Sequence, residues 1–371
     1  MKKKLYHYFL PQKNLALTPA TPRDSSRLFV YETLTDKIIF DHFYHLNKYL
    51  PKHSFLVLNE TSVLPARVVM RKSTGGKVVV LFLVNELTSA HVIKAIVDRK
   101  LNLGNLVYFD NKNFLEVVDQ KENIFYFKYD FSREKLFTLI KKYGTMPIPL
   151  YLRKTPLKKE QLLKKYQTIF AQPAIGTKLA SVAAPTASLH FTERVFRRLE
   201  KKGIKKYFIT LHVGLGTFAP ITEKNLKVKK LHKEYFEVEK KVWQDILKEK
   251  SKGKKLVAVG TTVVRALESA FENFITRESH PPNRRVPSKV KNFLPPPFFF
   301  GETDLFIFPP YNFKMVDHLI TNFHLPGSSL MMLVEAFLQH KGAKKHLVEL
   351  YNIAIKNNFR FYSFGDAMII L

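Results

Sequence analysis

The sequence predicts an α/β protein: a complex α/β domain carrying an inserted small closed β-barrel. Three observations carry this. Six or seven β-type runs crowd into residues 67–130. After residue 150, helical and strand patterns alternate. The chain has 371 residues, 46% of them hydrophobic, which suits two domains and a substantial core. The texture changes place the α/β domain at residues 1–66 plus 145–371, with the barrel at 67–144.

In chain order, RLFVYE (27–32), KIIFDHF (37–43) and SFLVLNE (54–60) read as short strands, with Thr35-Asp36 as a turn. The barrel runs follow, from VVMRKS through KVVVLFLV, HVIKAIVD, NLVYFD and FLEVVD to IFYFKYD. A helix over 132–143 ends at Gly144, read as a C-terminal capping glycine. Helix 192–202 stops at Gly203 before the strand KKYFITLHV, and VWQDILKEKSK stops at Gly253 before KLVAVG. Thr261 and Thr262 stand where the next helix begins, with Val263, Leu267, Ala270 and Phe274 as its apolar stripe. Residues 277–300, with six prolines, read as a surface loop. Beyond it come DLFIF, HLITNF, helices near 328–340 and 343–357, and a strand near 366–370.

Lys and Arg number 61 against 31 Asp and Glu, a formal charge of +30 that points to a polyanionic partner, nucleic acid first. Genome-driven compositional drift is the competing explanation. With no cysteine, disulfides, thiolate metal sites and cysteine nucleophiles are excluded. The basic start MKKKLYHYFLPQK is broken by His7 and Pro11 before it reaches signal-peptide length, and no run of 18 apolar residues occurs. A cytoplasmic protein with no membrane association is expected.

Five segments could carry chemistry. In YFITLHVGLGTFAP, Gly214 and Gly216 invite a dinucleotide-binding reading, but Phe218 and Pro220 stand where that fingerprint needs a third glycine and a helix. A tight turn with a packed His212 is the structural alternative. In SVAAPTASLHFTER, small residues around Ala184, Pro185 and Thr186 let a loop lie against a ligand, with Ser181 and His190 in bonding range; an ordinary connection capped by Thr192 is the alternative. In AVGTTVVRALES, Gly260, Thr261 and Thr262 form a helix N-terminus able to hold an anion, or a plain N-cap. In LITNFHLPGSS, Asn322 and His324 precede a Pro-Gly turn. TPATPRDSSRL with LNETSVLPAR offers Arg23, Asp24, Arg27, Asn59, Thr61 and Arg67 at strand ends, where surface ion pairing is the alternative. Lysine clusters at 158–165, 201–206, 224–233 and 248–255 together suggest a surface that tracks phosphates.

Taken in order, these segments resemble one family, the S-adenosylmethionine:tRNA ribosyltransferase-isomerases of queuosine biosynthesis. The resemblance rests on LNETSVLPAR (58–67), GTMPIPLYLR (144–153), YQTIFA (166–171), SVAAPTASLHFT (181–192), TLHVGLGTFAPI (210–221), LHKEYFEV (231–238), AVGTTVVRALES (258–269), the long segment 303–337 and FRFYSFGDAMII (359–370). It implies an α/β domain with an inserted barrel. It implies that S-adenosylmethionine serves as a ribosyl co-substrate, with no bound cofactor; no metal is expected, because the His and acid residues show no metal-ligand spacing. The ribosyl unit passes to the aminomethyl group of a 7-deazaguanine at the wobble position of GUN-anticodon tRNA and is isomerised to an epoxy-cyclopentanediol, while adenine and methionine leave. A monomer is expected.

The chemistry so implied needs a base at the ribose 5′ carbon, an acid for adenine departure and a neutral amine. His190, His212, Glu234 and His324 are the proton-transfer candidates. Gly214, Gly216, Thr217, His232, Gly260, Thr261, Thr262, Arg265, Asn322 and Asp366 join the strand-end and loop residues above as substrate-binding candidates. The sequence departs from the family pattern at Glu60, Ser62, Ser188 and Pro310, and in the long 277–300 loop. Two rival readings remain on this basis: a methyltransferase using the same donor, and a non-catalytic basic RNA-binding protein.

Overall fold

The computed structural model describes residues 6–86, 91–172, 179–214, 222–279 and 298–371. Side chains at 224, 273–279 and 298–300 are outside that description, as are Gly216 and Thr217, the predicted stripe residue Phe274 and the middle of the 277–300 loop.

Two sheets organise the chain. The first strands are β1 (Arg27–Glu32), β2 (Lys37–His42) and β3 (Ser54–Asn59), all as the alternation predicts. The barrel comprises β4 (Arg67–Lys72), β5 (Lys77–Phe82), β6 (Val92–Val97), β7 (Leu106–Tyr108), β8 (Phe114–Lys121) and β9 (Ile124–Lys128). Every pairing in it is antiparallel, and β4 against β7, at Arg71↔Tyr108, closes it. Inward residues such as Val68, Met70, Val80, Phe82 and Phe127 form its core, joined by Ala180 and Val182 from the α/β side. The helix Arg133–Tyr143, capped by Ser132, leads back, and β10 (Gly144–Thr145) adds to β4.

The remaining strands are β11 (Lys205–His212), β12 (Lys230–Glu239), β13 (Lys255–Val259), β14 (Phe298–Leu305), β15 (His318–Asn322) and β16 (Ala367–Ile370). With β1 to β3 they make a nine-stranded mixed sheet in the order β14-β12-β11-β3-β13-β15-β16-β1-β2. Its central strands are buried on both faces, which explains their nearly continuous apolar runs. Phe55 and Val57 enter one core with Trp243, Leu267 and Phe337, while Leu56 and Leu58 enter the other with Phe191 and Phe196.

The structure differs from the sequence reading in three places. The proline-rich stretch was expected to remain loop to residue 300, but β14 begins at Phe298 and runs through what was read as the start of DLFIF. It does so because β12, unforeseen as a strand, pairs with it from Glu239↔Phe298 onward. Gly144 does not take the left-handed capping conformation: its φ is −81°. A glycine is needed there for a different reason, since a Cβ would sit 1.7 Å from the Pro65 carbonyl oxygen.

Candidate active site

Strands β11, β3, β13 and β15 lie side by side and parallel, so their carboxyl ends share one edge of the sheet. In an open α/β sheet that edge is where ligands bind. A cleft opens there, lined by Ala184, Pro185 and Thr186 from one loop, Val213 after β11, Gly260, Thr261 and Thr262 after β13, Thr321 and Asn322 at the end of β15 with Phe323 to Leu325 beyond it, and Tyr151 and Tyr362. The predicted residues Ala184, Pro185, Thr186, Gly260, Thr261, Thr262, Asn322 and His324 therefore meet in one place.

Gly260 makes the turn from β13 into the helix Thr261–Ser279 with φ of 97°, a left-handed conformation open to glycine. Its N–H bonds the Ile320 carbonyl at 2.7 Å, pinning the helix start to the neighbouring strand end. Asn322 is 2% exposed. Its Nδ2 reaches the Tyr362 carbonyl and His190 Nε2, each at 3.3 Å, and its Oδ1 is buried with no partner among the described residues. Leaving such an acceptor unmet costs about 1–3 kcal/mol.

His190 lies beneath Asn322. Its Nδ1 bonds Ser26 Oγ at 2.8 Å, and burial, with Arg360 and Arg23 nearby, holds its pKa down at about 3. His324 is on the cleft wall, with Nε2 2.8 Å from Thr321 Oγ1; desolvation lowers it to about 3 as well. Both rings are neutral at pH 7.

A second layer supports the cleft from behind. Asn59 donates to the Leu211 carbonyl at 3.0 Å and to Thr262 Oγ1 at 3.3 Å, and accepts from Thr61 and Leu211 N–H. Thr61 Oγ1 meets Ser181 Oγ at 2.8 Å and His212 Nδ1 at 3.3 Å, while His212 Nε2 is 3.3 Å from Glu237. Glu234 is 1% exposed; one oxygen accepts from Gly214 N–H at 2.8 Å and the other pairs with Arg265. Arg265 also donates to the Leu305 and Thr303 carbonyls.

Other predicted residues are spent on the scaffold. Asp24 is buried, and hydrogen bonds from Arg194 and Thr192 outweigh its desolvation and hold its carboxyl below the usual range. Arg23 donates to the Gln167 and Lys164 carbonyls. Arg27 stacks over Phe359 at 4.0 Å, and its N–H meets Asp366, which also receives two bonds from Arg360. Arg67 starts β4, where its carbonyl accepts from Thr145. His232 is exposed, at an irregularity in β12.

The cleft also holds residues the sequence reading passed over. Tyr151 and Tyr362 meet at 4.7 Å between ring centroids, and burial pushes the Tyr151 hydroxyl up to about 12. Both lie inside matched segments, yet nothing local distinguishes a cleft tyrosine from a core one. Among the described residues no group of three or more His, Asp or Glu side chains could hold a metal ion, and no helix is long and apolar enough to cross a membrane.

Fold and cleft together define the class: an α/β protein with a barrel insert, whose cleft lies outside the carboxyl ends of its parallel strands. The chain belongs to the family described as queuosine biosynthesis protein, whose profile matches residues 3–370. It is similar to the S-adenosylmethionine:tRNA ribosyltransferase-isomerases of Halothermothrix orenii, at 40% identity, and Thermosipho melanesiensis, at 39%, each match covering 100% of both chains. The crystal structure of an S-adenosylmethionine tRNA ribosyltransferase from Thermotoga maritima is also similar, with 29% identity, a TM-score of 0.50, and coverage of 99% of this chain and 100% of that one.

Proposed function

We propose that this chain moves the ribosyl unit of S-adenosylmethionine onto a tRNA nucleoside and isomerises it, as its relatives are named for doing. The observation that carries the reading is a full-length match whose motif residues converge on one cleft. The acceptor in this reading is the aminomethyl group of a 7-deazaguanine at the wobble position of GUN-anticodon tRNA. The C5′–S and C1′–N9 bonds break, methionine and adenine leave, and the amine nitrogen gains the sugar-derived carbon. A monomeric, cytoplasmic enzyme belongs to the same proposal.

The geometry divides the four proton-transfer candidates. Glu234 has both oxygens engaged, and His190 and His212 each have both ring nitrogens engaged by protein groups. They suit positioning. His324 alone of the four lines the cleft. Neutral at pH 7 in the free protein and set on the cleft wall, it is the candidate placed to exchange a proton with a bound ligand.

Incubation with S-adenosylmethionine and aminomethyl-deazaguanine tRNA should release adenine and methionine and add a five-carbon unit to the tRNA. A one-carbon addition would instead mark a methyltransferase, and salt-sensitive binding without release an RNA-binding protein. In the same assay His324→Gln should slow adenine release about 10²- to 10⁴-fold with tRNA affinity kept. Full turnover by that variant would return the proton-transfer role to another group.

A further inference from the structure

We propose that the cleft grips the amino-acid end of the donor between two adjacent strand ends. The Thr261 and Thr262 N–H groups take the α-carboxylate, and the Asn322 carboxamide oxygen accepts from the α-ammonium. The inference rests on the S-adenosylmethionine reading of the cleft and assigns the part of the donor each wall binds.

The orientation of Asn322 follows from its neighbours. The Tyr362 carbonyl can only accept, so the amide nitrogen, 3.3 Å away, must face it. The same nitrogen is 3.3 Å from His190 Nε2, which accepts if His190 Nδ1–H donates to Ser26 Oγ, 2.8 Å away. The carboxamide oxygen is then the one atom of this side chain left over. It is buried, it belongs to a cleft-lining residue, and no described group donates to it. An orphan acceptor calls for an N–H or O–H and repels an anion.

The anion site is on the next strand. The helix Thr261–Ser279 runs for 19 residues, and its first N–H groups have no carbonyl a turn earlier to bond. Val263 and Val264 N–H return to the Gly260 carbonyl, whereas those of Thr261 and Thr262 have no acceptor among the described residues. Val259 on β13 is in register with Ile320 on β15, so the helix start at Thr261 and the strand end at Asn322 leave neighbouring strands at the same edge of the sheet, and both line the cleft. An α-amino acid carries carboxylate and ammonium on one carbon and answers both features at once. A phosphate would leave Asn322 unmet, and the adenine amine brings no neighbouring anion.

Calorimetric titration with S-adenosylhomocysteine, its deaminated analogue and methylthioadenosine tests this. On the wild-type chain, removing the ammonium should weaken binding about 10- to 100-fold. Asn322→Ala should bind S-adenosylhomocysteine and the deaminated analogue alike, with its affinity for methylthioadenosine kept. The proposal falls if the wild-type chain does not distinguish the first two ligands, or if Asn322→Ala loses methylthioadenosine as much as S-adenosylhomocysteine, which would place the adenine at Asn322. Should that variant fail to fold, the wild-type comparison decides alone. Binding of neither S-adenosylhomocysteine nor methylthioadenosine would instead overturn the donor reading itself.

Discussion

At the head of β15, His318 has both ring nitrogens buried without hydrogen-bond partners among the described residues, and desolvation, with Lys341 second, pulls its pKa from 6.5 to about 4. The unfolded chain takes up a proton near pH 6.5 that the folded chain refuses until about pH 4. Between those values the unfolded state binds more protons, so stability falls as the pH falls. His190 and His324, lowered to about 3, act in the same direction. Replacing His318 by leucine removes one such group and two unmet polar atoms. His318→Leu should be as stable as the wild type or more so at pH 7.5, and its urea midpoint should drop less on moving to pH 5. An equal loss at both pH values would show that His318 contributes packing alone. Glu234 illustrates the opposite case. As a glutamate in a motif it invites a catalytic role, yet its ion pair with Arg265 and its bond to Gly214 make it a strut between β12, β11's outgoing turn and the helix Thr261–Ser279.

Elements explain what was legible and what was not. β1, β3, β13 and the barrel strands announce themselves because burial on one or both faces leaves a period-two or continuous apolar pattern. β12 did not, although Glu234, Phe236 and Val238 alternate inward, because a buried glutamate and four flanking charges mask the period. Gly144 shows the same limit at a junction. Its role depends on Pro65, far away in sequence, whose carbonyl oxygen occupies the space a side chain would need. Gly144→Ala should therefore destabilise the protein by roughly 3 kcal/mol or more, because backbone on both sides must move. Chemical denaturation measures it, and wild-type stability would refute the close approach.

Across the whole molecule, the +30 charge is unevenly available. Lys205 pairs with Glu249, Lys230 with Asp304, Lys233 with Glu302, Lys250 with Asp317 and Lys254 with Glu249, so part of three lysine clusters is paired internally. Lys158, Lys159, Lys164 and Lys165 have no described acid within ion-pair range. Their helix, Lys159–Lys165, runs into Tyr166, which packs with Leu152 and Ala184 close to the cleft. Replacing these four by glutamine should weaken tRNA binding and flatten the dependence of log Kd on log salt by about 0.7–0.9 for each phosphate no longer neutralised. The pair Lys250→Gln and Lys254→Gln should leave that slope unchanged. The opposite ranking, measured by filter binding across a salt series, would move the tRNA path elsewhere.

Family, the presence of the barrel insert and the element order apart from β12 and the start of β14 were determined by the sequence alone, because motif order and hydrophobic period are properties of contiguous stretches. Which residues face a ligand was decided only by tertiary structure. The strand order β11-β3-β13-β15 sets residues 59, 212, 260 and 322 along one edge, and a non-sequential order of that kind is written in long-range pairing. The same pairing buries Glu234 and His190 behind the cleft, leaves His324 on its wall, and leaves the Asn322 oxygen buried there without a partner among the described residues. A side chain's chemistry is local, but its solvation and its partners belong to the fold.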